Sequence, residues 1–402
     1  MESPSLSNPH FDLVVVGGGP AGYMGAITAA EAGVKSVVIL EASSSPLEKV
    51  RISGGGRCNV THSCWEPKEL VLNYPRGSVP LLGPFSNFAC GDTVSWFRDR
   101  GVNLITESDG RMFPSSNNSE EIISSLINSA NSAGVKFISN TKVFNITFLK
   151  DNNYLIHAKG GISIYAKSVL ISTGSNPSGR KLAASLGHRI IPPVPSLFSF
   201  LLKSTNIIQC SGVAINDVFL KLICKTKSFS EKGRVLITHW GLSGPAILRL
   251  SSFAARDLFD SEYKARIEIN WINKDFDQTI SLFRDYRLNF PSKRLFTSKP
   301  FQEIPKKLWL LFLSMANINS KTQWANLKNS DMKSLIDILV KSTYRIDGKR
   351  PFRDEFVTAG GLMLNDVDFS TMESRKCKGL YFAGELLDVD GITGGFNFQH
   401  CW

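Results

Sequence analysis

Short apolar runs punctuated by glycine and proline dominate this 402-residue chain, and no apolar stretch is long enough to cross a membrane, which takes roughly 18 to 20 residues. Near the start, Val14-Val15-Val16 runs into Gly17-Gly18-Gly19-Pro20-Ala21-Gly22, and a small-residue helical stretch follows up to Gly33. A second apolar run, Ser36 to Leu40, predicts the next strand, so residues 11 to about 60 read as a βαβ unit. Residues 66–134 read mainly as helices, among them Gly91 to Arg100 and Glu120 to Ala133. From Val135 to Ser172, the alternating segments VKFIS, TKVFNITFL, NYLIHA and SIYAKSVLI predict strands, the last meeting a small turn at Thr173-Gly174. Beyond Pro192-Pro193-Val194-Pro195 the texture changes. Residues 196 to about 270 predict a β-rich insert and about 275 to 345 a helical one, with amphipathic stretches such as Lys306 to Met315. From Phe356 the pattern returns to apolar strand and glycine turn. The simplest parse is a nucleotide domain in two parts, 1–195 and 346–402, split by an insert over 196–345.

Chemistry enters with the first glycine cluster. A strand, a tight glycine turn and a helix start form the geometry that receives a dinucleotide pyrophosphate. Gly17 permits the turn, Gly19 lets backbone approach phosphate, and Gly22 lets helix pack on strand, while Pro20 and Ala21 open a helix whose amides and dipole face the anion. Glu41 lies nineteen residues past Gly22, where a carboxylate accepts both ribose hydroxyls and repels a 2′-phosphate. FAD or NAD is expected here, and NADP is excluded.

Three further clusters extend this site. Lys49 to Thr61 contains Ser53-Gly54-Gly55-Gly56-Arg57-Cys58-Asn59, whose approachable amides and fixed cation suit phosphate or a ribityl chain. Gly379 to Glu385 is a strand ending in Gly384 and an acid, a place for a ribityl hydroxyl. Asp388 to Asn397 starts a helix at Gly394-Gly395-Phe396; its amides and dipole would favour the negative charge of a reduced flavin.

The net charge of +11 raises nucleic acid as a partner. The cations are scattered along the sequence, however, and the clusters Lys221 to Lys227 and Lys341 to Arg353 lack interleaved aromatic platforms, so a solvated basic surface is expected instead. Seven cysteines at irregular spacings fit reduced thiols, with no CxxC and no zinc spacing, and no metal site is expected. Cys58 and Cys64 are separated by five residues and no second GxGxxG follows a strand, which argues against a disulfide reductase. The ten residues before the first strand are too few for a targeting peptide, giving a cytosolic expectation if Met1 is the true start; an organellar form would need an upstream segment. His239, His62 and Arg111 are candidates for substrate contact and equally for structural roles; Asp388 and Asp390 could cap backbone amides. No catalytic base stands out.

Taken together, VVVGGGPAG at 14–22, ISGGGRCNVTH at 52–62, GRMFP at 110–114, VLISTG at 169–174, THWGLSGPAILRLS at 238–251, FVTAGG at 356–361, TMESRKCKGLYFAGE at 371–385 and LDVDGITGGFNFQ at 387–399 resemble the BaiN-like, aminoacetone-oxidase-type family of FAD-binding flavoproteins. The resemblance implies an α/β fold: a three-layer, Rossmann-like FAD domain split by a β-barrel-like and a helical insert. It implies a flavin lined by Gly17, Gly19, Pro20, Ala21, Gly22, Glu41, Lys49, Ser53, Gly54, Gly56, Arg57, Cys58, Asn59, Val143, Thr173, Gly174, Gly384, Glu385, Gly394, Gly395, Phe396 and Asn397. It also implies an FAD-dependent oxidoreductase that transfers hydride to a small substrate, with NAD(P)H as a transient electron donor. RNA modification by a flavoprotein is a lesser alternative. Two departures stand out. The segment after Gly174 is shorter than the family's glycine-rich stretch, and only about two helical turns follow Gly394, so a truncated form with weak flavin binding is the main alternative.

Overall fold

The computed structural model describes residues 9–203, 205–350 and 357–402. Residues 1–8 of the leader, Arg353 of the second basic cluster and Phe356 of FVTAGG lie outside the described residues. The chain divides into two compact units, one formed by 1–193 with 357–402 and the other by 194–356.

The first unit is built on five parallel strands in the order Leu380–Phe382, Ile162–Ile171, β1 (His10–Val16), β2 (Val37–Leu40) and Lys136–Ile138. β1 sends Val14 and Val16 into one core and Leu13 and Val15 into another, as the two-residue strand period requires. Both faces are therefore buried, which is why these strands read as unbroken apolar runs. Helices α1 (Pro20–Glu31) and Ser119–Ser132 cover one face through Tyr23, Ile27, Ile122 and Leu126. An antiparallel meander, Val143–Phe148 and Tyr154–Ala158 running into Ile162–Ile171, covers the other with Ile146, Ile156 and Ile164. This is the three-layer α/β arrangement. Within the stretch expected to be helical, the chain also forms a small sheet of Thr61–His62, Arg111–Pro114 and Leu104–Thr106. Strands of two to four residues are too short for a period to declare itself.

The second unit is a closed six-stranded barrel: Phe200–Leu201, Gly241–Ser243, Ser228–Thr238, Ala214–Ile223, Lys264–Asn270 and Ser342–Lys349. Its inward residues, among them Leu220, Leu222, Val235, Ile237, Ile267 and Ile346, share one core with helices Phe276–Asn289, Lys306–Met315 and Asn329–Lys341. The helical segment interrupts the barrel between its fifth and sixth strands. The expected boundary at residue 345 thus falls inside a barrel strand, which follows helix Asn329–Lys341 without a linker.

Candidate active site

Parallel pairing aligns the carboxyl ends of the strands. Val16 pairs with Leu40 on one side and Ile171 on the other, and Ile171 pairs with Phe382. The residues that follow each strand therefore stand in one row: Glu41, Gly17–Gly19, Thr173–Gly174 and Gly384–Glu385. The order of strands reverses at β1, since the chain runs outward from it to β2 on one side and returns to Ile162–Ile171 on the other; such a switch point opens a ligand crevice.

Close packing shapes the glycine turn. Gly17 has φ +111°, and a Cβ on Gly22 would lie 2.0 Å from the Gly17 carbonyl oxygen, so helix and turn approach as only glycine allows. A side chain on Gly19 would meet no atom within 4 Å. Glu41 is fixed beside the turn: one carboxylate oxygen accepts from Gly18 N–H at 2.7 Å, the other from the Ser43 N–H and hydroxyl at 2.8 Å each.

After helix α2, which runs regularly from Glu48 to Ile52, Gly54, Gly55 and Gly56 take positive φ in succession, at 57°, 71° and 85°. This curls the backbone into an open loop, and Gly55 and Gly56 face unfilled space. Arg57 is clamped against the loop. It donates to Glu107 at 2.8 Å, and its guanidinium lies 3.9 Å from the centre of the Phe113 ring. Asn59, with its amide turned to satisfy both partners, accepts from Gly395 N–H at 2.9 Å and donates to the Thr61 carbonyl at 3.1 Å. Lys49 reaches across to Glu385 and to the Ser175 hydroxyl at 2.9 Å. The buried Thr173 hydroxyl, next in the row, has no hydrogen-bond partner.

The Asp388–Asn397 loop is held by residues that motif reading passed over. Asp390 is fully buried and makes a two-pronged ion pair with Arg76. Ile392 N–H donates to the Asn73 carbonyl at 2.9 Å, Tyr74 hydroxyl to the Phe396 carbonyl at 2.6 Å, and Gly77 packs against Val389. Asn397 holds both backbone groups of Gly391 at 2.9 Å. The closing helix, Phe396–Cys401, is too short to be stable alone. Gln399 accepts from the Thr61 and Thr93 hydroxyls at 2.6 and 2.9 Å, and the Trp402 indole donates to the Val60 carbonyl at 2.8 Å; these tertiary bonds fix it in place.

Other expected residues stand apart from the row. Val143 and Phe396 turn their side chains into the core, so only their backbones are available to a ligand. His62 stacks on Phe396 with 4.7 Å between ring centres and donates from Nε2 to the Asp109 carbonyl at 3.1 Å, while burial lowers its pKa. Arg111 pairs with Glu107 and Asp109. His239 is exposed on the hairpin turn of the barrel unit. Burial pushes the Cys58 thiol up to about 12, against a bond with Ser53, and the Cys64 thiol up to about 11. Thiols so protonated make poor redox nucleophiles, and all seven cysteines are free.

A parallel sheet with a glycine-rich strand-to-helix turn, an acid after the second strand and a meander on the far face defines a Rossmann-type flavoprotein. The chain belongs to the HI0933-like family, whose Rossmann-domain model matches residues 11–402. It is an FAD-dependent oxidoreductase. It is similar to a ribosomal RNA dihydrouridine synthase of Escherichia coli K12, 27% identical over 403 residues covering 98% of this chain and 95% of the relative. It is also similar to a 3-dehydro-bile acid delta(4,6)-reductase of Clostridium scindens, 28% identical over 404 residues covering 96% and 95%. Among solved structures it resembles a 3-ketosteroid-delta4-(5alpha)-dehydrogenase from Rhodococcus jostii RHA1, with TM-score 0.50 and 12% identity over the whole of this chain and 97% of that one, a likeness of fold. The alternative of a form without flavin chemistry is not favoured. No helix among the described residues is long and apolar enough to cross a membrane.

Proposed function

We propose that the chain holds FAD along the carboxyl edge of its parallel sheet and reduces a carbon–carbon double bond conjugated to a carbonyl in a small substrate. The observation that carries this reading is the strand register, which sets two carboxylates and an open glycine turn in one row. The residues fit the cofactor. First-turn amides of α1, beside the open space at Gly19, suit the pyrophosphate; Glu41 suits the adenosine ribose; Glu385 with Lys49 suits the ribityl chain, while the Thr173 hydroxyl packs against Gly179. The amides from Gly394 to Phe396, fixed by Asn59 and by the Arg76–Asp390 pair, suit the pyrimidine edge of the ring. When bound, the flavin supplies hydride exchange at N5. NADH or NADPH from solution supplies the electrons.

The substrate class rests on what two relatives' names share. Making dihydrouridine from uridine and reducing a 3-oxo-4,6-diene both add hydride and a proton across a double bond conjugated to a carbonyl. Uridine in RNA is a second reading, favoured by the names of the relatives from E. coli and Haemophilus influenzae. The test is a spectrum of the purified chain with released FAD quantified, then anaerobic reduction by NADH or NADPH and reoxidation by cyclohexenone or a 3-oxo-4-ene steroid. One FAD per chain and reoxidation by the enones support the reading. A colourless protein that takes up no FAD, or a reduced flavin that no enone reoxidises, overturns it.

A further inference from the structure

The charge of this protein is partitioned by fold. Residues 194–356 hold 26 Lys and Arg against 15 Asp and Glu, whereas the nucleotide-binding unit holds 20 of each. The entire net charge of +11 therefore belongs to the insert. Seven of these cations lie on barrel strands, whose outward positions recur at every second residue, and twelve, against six acids, lie within residues 274–341.

One barrel surface groups several of the strand and hairpin cations around a ring. Ala214–Ile223 and Ser228–Thr238 form a hairpin whose tip exposes Lys225 and Lys227, with Lys221 exposed on the strand leading to it. Beside the hairpin, Arg266 and Arg345 sit directly across from each other in the register of Lys264–Asn270 and Ser342–Lys349. Both pair with acids, but the cations are the exposed members, at 58% and 74%, and the partner acids Glu268 and Asp347 are shielded at 19% each. Water meets the cations of these two pairs, whereas Lys232 pairs with Asp217, which at 64% is more exposed than the lysine at 51%, so the face is mixed with an excess of cations. It also carries an aromatic ring: Phe219, two residues before Lys221 and opposite Lys232, is 39% exposed on the outer surface of the barrel. A ring flanked by lysines on an open β-surface is a stacking platform with an electrostatic track beside it.

We infer that this outer barrel face docks single-stranded RNA, its cations following the phosphates and Phe219 stacking on a base. The inference rests on the uridine reading only for what the enzyme reduces; docking itself stands on the charge and the ring. An anionic membrane would use the same charges but leave Phe219 no base to stack on.

The test uses the full chain and a labelled mixed-sequence single-stranded RNA of about 20 nucleotides, with binding followed against salt. Lys221→Glu/Lys225→Glu/Lys227→Glu is expected to weaken binding tenfold or more and to flatten the slope of log K on log salt by about 2, at roughly 0.7 per lost phosphate contact. Lys306→Glu/Lys321→Glu/Lys333→Glu, on the helical segment, makes the same change in net charge and is expected to weaken it less than threefold. Phe219→Ala is expected to cost about fivefold with the salt slope unchanged. Equal losses in the two triple variants, an intact response to Phe219→Ala, or tighter binding to vesicles rich in phosphatidylserine than to RNA would overturn the inference. RNA docking at this face without dihydrouridine formation would refute the uridine reading alone. Dihydrouridine formed at the normal rate by the hairpin variant would refute the docking face alone.

Discussion

Removing Arg76 should damage this protein more than its place in a short turn suggests. Asp390 is fully buried and Arg76 only 15% exposed, so Arg76→Met takes the paired guanidinium away from a carboxylate held out of water. Breaking a buried ion pair from one side costs about 3–5 kcal/mol. In a unit of about 240 residues, each kcal/mol lowers Tm by roughly 2–4 °C, so a loss on the order of 10 °C is expected. Asp390→Asn should cost less, because an amide still accepts from the guanidinium. Arg76→Met/Asp390→Leu should recover part of the loss, because no charge is left buried. The pair also fixes the Asp388–Asn397 loop, so bound FAD should fall with stability in the single variants. Thermal unfolding monitored by tryptophan fluorescence, together with FAD released on heating, makes the comparison. Two single variants within 2 °C of the native protein, with additive effects and full FAD content, would refute the reasoning.

Gly22→Ala and Gly19→Val should fail differently. The first places a methyl 2.0 Å from a backbone oxygen and should lower Tm sharply, while the second enters open space and should leave the Tm of the flavin-free protein unchanged but abolish FAD retention; matching Tm losses between the flavin-free variants would contradict this. Glu41→Ala should weaken FAD at least tenfold and FMN by less than threefold, as FMN lacks the adenosine ribose, measured by flavin fluorescence quenching; equal losses would place Glu41 elsewhere. Burial lowers His400 from 6.5 to about 4, opposed by the backbone at Gly384. The unfolded chain then binds a proton that the folded one refuses, so stability should fall as pH drops from 6.5 towards 4, and His400→Gln should flatten that slope in urea titrations. A slope identical in the variant would remove His400 as its source.

Features imposed by local backbone rules were legible in the sequence. The turn at Gly17–Gly22 and the Gly54–Gly56 run announce themselves because the contact at Gly22 and three successive left-handed residues strongly favour glycine. Helix Lys306–Met315 shows its own period over enough residues to be read. Register is different in kind. Thr173 and Glu385 become neighbours through pairing between strands far apart in the chain, and no local pattern encodes that distance. Arg76 was invisible for the same reason: a lone arginine in a turn carries no signal until its buried acid is found. The barrel's sixth strand hid behind a helix, since the helix passes straight into it at Ser342. The partition of charge needed only the insert's boundaries; once these are known, counting residues reveals it.

The closing strand has a consequence for how the protein is made. Ile162–Ile171 uses one edge twice: Tyr154–Ala158 occupies its first half and Leu380–Phe382 its last three residues. During synthesis on the ribosome the whole barrel unit emerges between these two partners. Until Leu380 leaves the tunnel, Val169 to Ile171 present an unpaired apolar edge, the kind of surface on which nascent chains aggregate or recruit chaperones. The row that ends at Glu385 does not exist before then. A cofactor that contacts the whole row is therefore held only once Leu380 to Glu385 have been made.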